Sequence, residues 1–159
     1  MESDKKLQRA KNNAYSLLRS RPRSEYEIRN RLKLKGYDAD TVDSVVADIS
    51  RTGNIDDAKF ARLWVESRMH SNPMGDIVLR RELQEKGVSA PIIEATLAEQ
   101  AKSYDEYKVA FSMARERFGR LKKLDRAKAM KRLYDFLLRR GFGFDIVQRI
   151  IDAVIDENG

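Results

Sequence analysis

Very few residues of this chain could carry out a reaction. His70 is the only histidine and cysteine is absent. A nucleophile activated by histidine would have to use His70, and no second histidine or thiolate exists to build a metal cluster. His70 stands beside Ser71-Asn72-Pro73, in a predicted break between two helices, and reads as a surface loop histidine. The adjacent pair Asp56-Asp57 has the look of a metal pair, but it opens a helical stripe. Carboxylates there cap the helix and favour the positive end of its dipole. Gly141-Phe142-Gly143-Phe144 follows a predicted helix and is followed by no Lys-Ser/Thr, so it is a turn and not a phosphate loop. No catalytic residue, cofactor or metal ligand is expected. The chain reads as a binding protein and not an enzyme.

Charge is the stronger signal. The chain has 159 residues and a net charge of +7. Residues 1–35 carry a net +7 and residues 36–57 a net −5, residues 58–105 are neutral, and residues 106–144 carry +8 before a terminal −3. Two basic blocks, each followed by an acidic segment, suit a polyanionic or acidic partner. The competing reading is a set of solvated helix faces. The start has no apolar run behind it, and no 18 consecutive apolar residues occur, so a cytoplasmic protein that neither enters nor crosses a membrane is expected.

The elements that must present these charges are helices. Phe60, Ala61, Trp64, Val65 and Met69 recur at helical spacing. So do Val42, Val45, Val46 and Ile49, and Ile146, Val147, Ile150, Ile151 and Val154. No run alternates as a strand does. The predicted class is all-α.

The chain also repeats itself. Leu32-Lys33-Leu34-Lys35-Gly36-Tyr37, Leu83-Gln84-Glu85-Lys86-Gly87-Val88 and Leu137-Leu138-Arg139-Arg140-Gly141-Phe142 share one pattern, with the glycines 51 and then 54 residues apart. It is a helix stop: a base near the negative helix end, a glycine free to turn left-handed, and an apolar residue packing back. Asp38, Ser89 and Gly143 then open the next helix. Pro22 and Pro73 each lie fourteen residues before their glycine and break the chain upstream, while Ser24 and Glu27 match a capping box. The third copy lacks the proline and begins its second helix near Asp125. The expected architecture is three tandem three-helix repeats at 1–55, 56–103 and 104–159, stacked into an elongated, monomeric body.

A helix–tight turn–helix unit invites a DNA-groove reading. The third helices oppose it, because Asp40, Asp43 and Asp48, Glu94 and Glu99, and Asp145, Asp152, Asp156 and Glu157 surround their apolar stripes. A groove reader compensates phosphates and should be basic there. The bases sit on second helices, so contact with DNA would be mainly non-specific.

Gly53-Asn54-Ile55-Asp56-Asp57, with Phe60-Ala61, Trp64-Val65 and Arg68, resembles the central motif of the RecX family of bacterial recombinase regulators. So does the block from Gly75 through Leu79-Arg80, Glu82-Leu83 and Lys86-Gly87-Val88. Arg117-Phe118-Gly119 and Phe136-Leu137 with Arg139-Arg140-Gly141-Phe142 extend the likeness to nearly the whole chain, with Asn54 as a departure where Tyr is expected. The resemblance implies a partner and no reaction: the RecA recombinase as a filament on single-stranded DNA, whose strand exchange and ATP hydrolysis are inhibited, with effects on DNA repair and the SOS response. Phe60, Trp64, Leu79 and Leu83 are expected in the core, and Arg68, Arg80, Arg81, Lys86, Arg139 and Arg140 are the partner-binding candidates.

Overall fold

A computed structural model describes residues 1–158, and these form nine α-helices with no strand among the described residues. The helices are α1 (Glu2–Ser20), α2 (Glu25–Leu34), α3 (Ala39–Arg51), α4 (Asp57–Ser71), α5 (Asp76–Glu85), α6 (Ala90–Ser103), α7 (Glu106–Arg120), α8 (Arg126–Arg139) and α9 (Phe144–Asn158).

Local chemistry explains most boundaries. Arg21, the residue before Pro22, is extended, which ends α1. Ser24 and Glu27 form the expected capping box at the start of α2. The Asp38 carboxylate accepts from the Thr41 backbone N–H and caps α3. Gly36, Gly87 and Gly141 adopt φ of 91°, 74° and 87°, and the amide after each donates to the carbonyl of the repeat leucine: Tyr37 to Leu32, Val88 to Leu83, Phe142 to Leu137. That six-to-one bond is the Schellman closure, so the leucine of the repeat pattern is both a core residue and a cap acceptor. Gly53 (φ 77°) closes α3 in the same way, with Asn54 N–H bonded to Ile49 O. His70 lies in the last turn of α4, exposed, and not in the break that follows. The helical period of α4 simply runs one turn further than the Ser-Asn-Pro signal suggests.

The chain divides into two compact units that cut through the middle repeat: Met1–Trp64 with Leu83–Thr96, and Val65–Glu82 with the chain from Leu97 onward. In the first unit, α1, α2 and α3 enclose Ala10, Ala14, Ile28, Leu32, Val42, Val45, Val46 and Ile49. In the second, α7, α8 and α9 enclose Ala110, Ala114, Leu133, Leu137, Val147, Ile150 and Val154 around the buried Phe142 ring. The two cores are built alike. In each, a pair of alanines four residues apart lets the first helix approach its neighbours closely, while long aliphatic residues on the other two fill the space. Each fully buried leucine or isoleucine contributes about 1.5–3 kcal/mol relative to exposure.

The second unit has a further close approach. Gly75 N–H donates to Arg140 O at 2.8 Å and Ile77 N–H to Gly141 O at 3.2 Å. A Cβ on Gly75 would lie 2.2 Å from Gly141 O, so only glycine permits the two backbones to meet.

Candidate partner-binding surface

In the first unit part of the basic charge is answered internally. Lys6 pairs with Asp38 and Lys11 with Asp48, while Arg29 bridges Glu25 at 2.9 Å and Asp43 at 2.6 Å. Asp38, which caps α3, and Asp43 and Asp48 on it therefore face bases of α1 and α2. The alternation of +7 and −5 along the sequence is thus matched internally at three places, Lys6–Asp38, Lys11–Asp48 and Arg29–Asp43. Mostly exposed pairs of this kind are worth little singly, up to about 1 kcal/mol. They do, however, reduce the positive field available to a partner.

Lys86 has a defined structural place. Its Nζ lies 3.9 Å from Glu27 Oε2 and 5.0 Å from the Trp64 ring centroid. Trp64 is half-buried and stacks on Phe60 at 5.9 Å, so it forms a platform at the edge of the core and is less enclosed than Phe60, Leu79 and Leu83. Below it, the fully buried Ser24 hydroxyl accepts from Glu27 N–H and donates to Lys86 O at 2.6 Å, and Glu25 N–H donates to Asp57 Oδ1 at 2.9 Å. Burial disfavours the Glu27 charge, but the Arg21 hydrogen bond, the Lys86 charge and the Ser24 N–H together hold its carboxyl below the usual value. A carboxylate with a depressed pKa stabilises the fold above its unfolded value of about 4.3 and loses that contribution as pH falls through the folded value. Glu27→Gln should therefore cost about 1–2 kcal/mol at neutral pH. The gap between variant and wild-type melting temperatures should close below about pH 4. A gap that persists into acid would show that shape, and not charge, makes Glu27 important.

The other candidates lie in the second unit and differ in exposure. Arg68 Nε pairs with Glu82 Oε2 at 2.9 Å and is half-buried, as is Arg80. Arg81 on α5 and Arg139 on α8 are exposed. Arg140 is half-buried; it donates to Asn72 Oδ1 and holds its guanidinium 5.7 Å from the Phe136 centroid. Arg117 on α7 approaches the same ring at 5.1 Å. Arg117 and Phe136 stood in the sequence likeness but not among the candidate contacts. The +8 balance of residues 106–144 was the signal that pointed here. Lys122, Lys123, Arg126, Lys128, Lys131 and Arg132 are all exposed in this stretch, as Lys5, Arg9, Arg19, Arg31, Lys33 and Lys35 are in the first unit.

Residues first weighed for chemistry have structural roles. Asp56 Oδ1 accepts from Lys59 N–H and caps α4, while Asp57 reaches across to the first amide of α2. Burial raises the Asp57 pKa against that hydrogen bond. Gly141-Phe142-Gly143 is the turn between α8 and α9. Among the described residues no group of His, Asp and Glu is placed to hold a metal ion, and no helix is long and apolar enough to cross a membrane.

Three family models match the chain in order. They describe the first, second and third three-helix domains of RecX and cover residues 10–48, 56–97 and 104–151. A "Regulatory protein RecX" from Amycolatopsis mediterranei is 31% identical over 98% of this chain and 89% of its own length. One of the same name from Prosthecochloris aestuarii is 32% identical over 96% and 98%. The crystal structure of RecX from Lactobacillus salivarius superposes with a TM-score of 0.82, at 20% identity, over 96% of this chain and 97% of that one, which establishes likeness of fold.

Proposed function

The chain belongs to the RecX family, and from that premise we propose that it binds the RecA recombinase as a filament on single-stranded DNA and restrains strand exchange and the accompanying ATP hydrolysis. The observation that carries this reading is the succession of all three RecX domains along one chain, each with its own helix stop. Relatives that share nearly the full length are named regulatory proteins. The exposed bases of α7 and α8 suit a partner that carries phosphate and carboxylate charge. On this reading the protein acts in the cytoplasm as a monomer, by contact and without catalysis, and contributes to control of recombination, DNA repair and the SOS response.

A general DNA-binding role is the competing reading, and the acidic third helices weigh against groove recognition. Binding to bare single-stranded DNA and to preformed RecA filaments, measured at matched salt, separates the two. Tighter binding to filaments, together with slower strand exchange, is the expected result. Equal affinity for bare DNA and filament, with no effect on exchange, would reject the regulator reading in favour of the DNA-binding one.

A further inference from the structure

We propose that the groove between α7 and α8 is a docking site for an acidic peptide segment of a protein partner. This rests on reading the chain as a protein-binding regulator, and adds where and by what chemistry a partner is held. The groove has a volume of about 570 Å³, within the span of roughly 300–1,000 Å³ typical of sites that enclose a ligand. Val109, Met113, Phe136 and Pro73 give it an apolar lining. Lys108, Arg117, Arg120 and Arg140 give it charge, against the single acid Glu116.

Two features inside the groove ask for an anion. The guanidinium groups of Arg117 and Arg140 lie 5.1 and 5.7 Å from the Phe136 centroid, so one ring holds both in place. Their Nε atoms are buried and have no hydrogen-bond partner. Those buried Nε atoms lie out of a ligand's reach, but no acidic side chain pairs with either guanidinium among the described residues, so a carboxylate entering the groove can answer their Nη groups with charge-assisted bonds. The internal competitors are weak. Arg120 pairs with Glu116 at 2.6 Å and Lys108 lies 3.9 Å from Asp105, but all four side chains are more than half exposed. Arg140 meets only a neutral acceptor, Asn72 Oδ1.

The apolar lining selects a peptide over a nucleic-acid strand. A strand would use the groove by stacking a base on an open aromatic face, and two cations already attend Phe136. A peptide that alternates carboxylates with branched apolar side chains answers both the lining and the rim.

Fluorescence anisotropy of a labelled peptide alternating Asp and Glu with Leu, titrated with the full chain at low salt, tests this. The Leu peptide should bind at least roughly tenfold more tightly than the same peptide with Ser in place of Leu. Lys108→Glu and Arg120→Glu, both at exposed positions, should together weaken binding by a similar factor with melting unchanged, and Arg117→Gln with Arg140→Gln should do so in any variant that still folds. Glu116→Gln should tighten it. Equal binding of the Leu and Ser peptides would overturn the proposal, as would indifference to the exposed reversals. So would an oligothymidylate of matched charge that binds more tightly and displaces the peptide, since that would make the groove a nucleic-acid site. No recombinase is present in this titration, so failure of the groove and failure of the filament reading are told apart.

Discussion

Replacing Gly141 with alanine should destabilise the protein far more than the same change at Gly36. Both glycines close a helix in the left-handed region, at φ 87° and 91°. A side chain there costs on the order of 1–2 kcal/mol. At Gly36 that is the whole cost, because an added Cβ meets nothing within 4 Å. At Gly141 the added Cβ would lie 2.6 Å from both the backbone nitrogen and the Cγ2 of Val78. A backbone atom cannot rotate away as a side-chain tip can, so the first turn of α5 must move off the α8–α9 turn. That movement strains the bonds from Gly75 to Arg140 O and from Ile77 to Gly141 O. Overpacking of this kind costs about 1–3 kcal/mol or more. The sum is a large share of a domain's usual stability of about 5–15 kcal/mol. Urea melts of the two variants give the comparison directly. Equal losses would mean that the segment carrying Val78 does not sit against the turn. A Gly141→Ala chain that fails to fold, beside a Gly36→Ala chain that loses about 1 kcal/mol, agrees with the account.

These glycines also mark how far the fold could be read before its structure. The stop pattern is local: leucine, base, glycine and the following apolar residue lie within one turn and declare themselves by type. Gly53 does the same work in Ser50-Arg51-Thr52-Gly53, but without the leucine and adjacent base that made the other three visible. Gly75 was legible only as part of the family likeness. Its reason is the Gly141 carbonyl, 66 residues away, and no local rule reports such an approach. Ser24 was half legible. The cap it forms with Glu27 is a three-residue event, whereas its bond to Lys86 O spans 62 residues. The candidate surface follows the same division. Bases could be counted on each helix, but the partners of Lys86, Arg68 and Arg140 depend on which segments fold against them.

That division decides which charges should carry the proposed function. Arg81 and Arg139 are the two exposed members of the candidate set, while Arg68, Arg80, Lys86 and Arg140 are half-buried. Reversal at Lys86 would set a carboxylate beside Glu27 and remove the cation over Trp64, so lost binding there would be confounded by lost stability. Arg81→Glu combined with Arg139→Glu avoids this. Exposed substitutions usually change stability by no more than about 0.5 kcal/mol, so the melting temperature should barely move. If these residues touch the filament, each reversal replaces attraction to phosphate or carboxylate by repulsion. The concentration of protein needed to halve RecA strand exchange should then rise by roughly tenfold or more, equivalent to about 1.4 kcal/mol of lost binding. Added salt should weaken the wild type in the same direction, because exposed charges separated by more than about 8–10 Å are screened at physiological ionic strength. The variant should be the less salt-sensitive of the two, having fewer attractive contacts left to screen. A folded double variant with undiminished inhibition would make Arg81 and Arg139 ordinary solvated charges. The next candidates would then be the remaining bases of α7 and α8, where Lys128, Lys131 and Arg132 are exposed and can be reversed in the same assay.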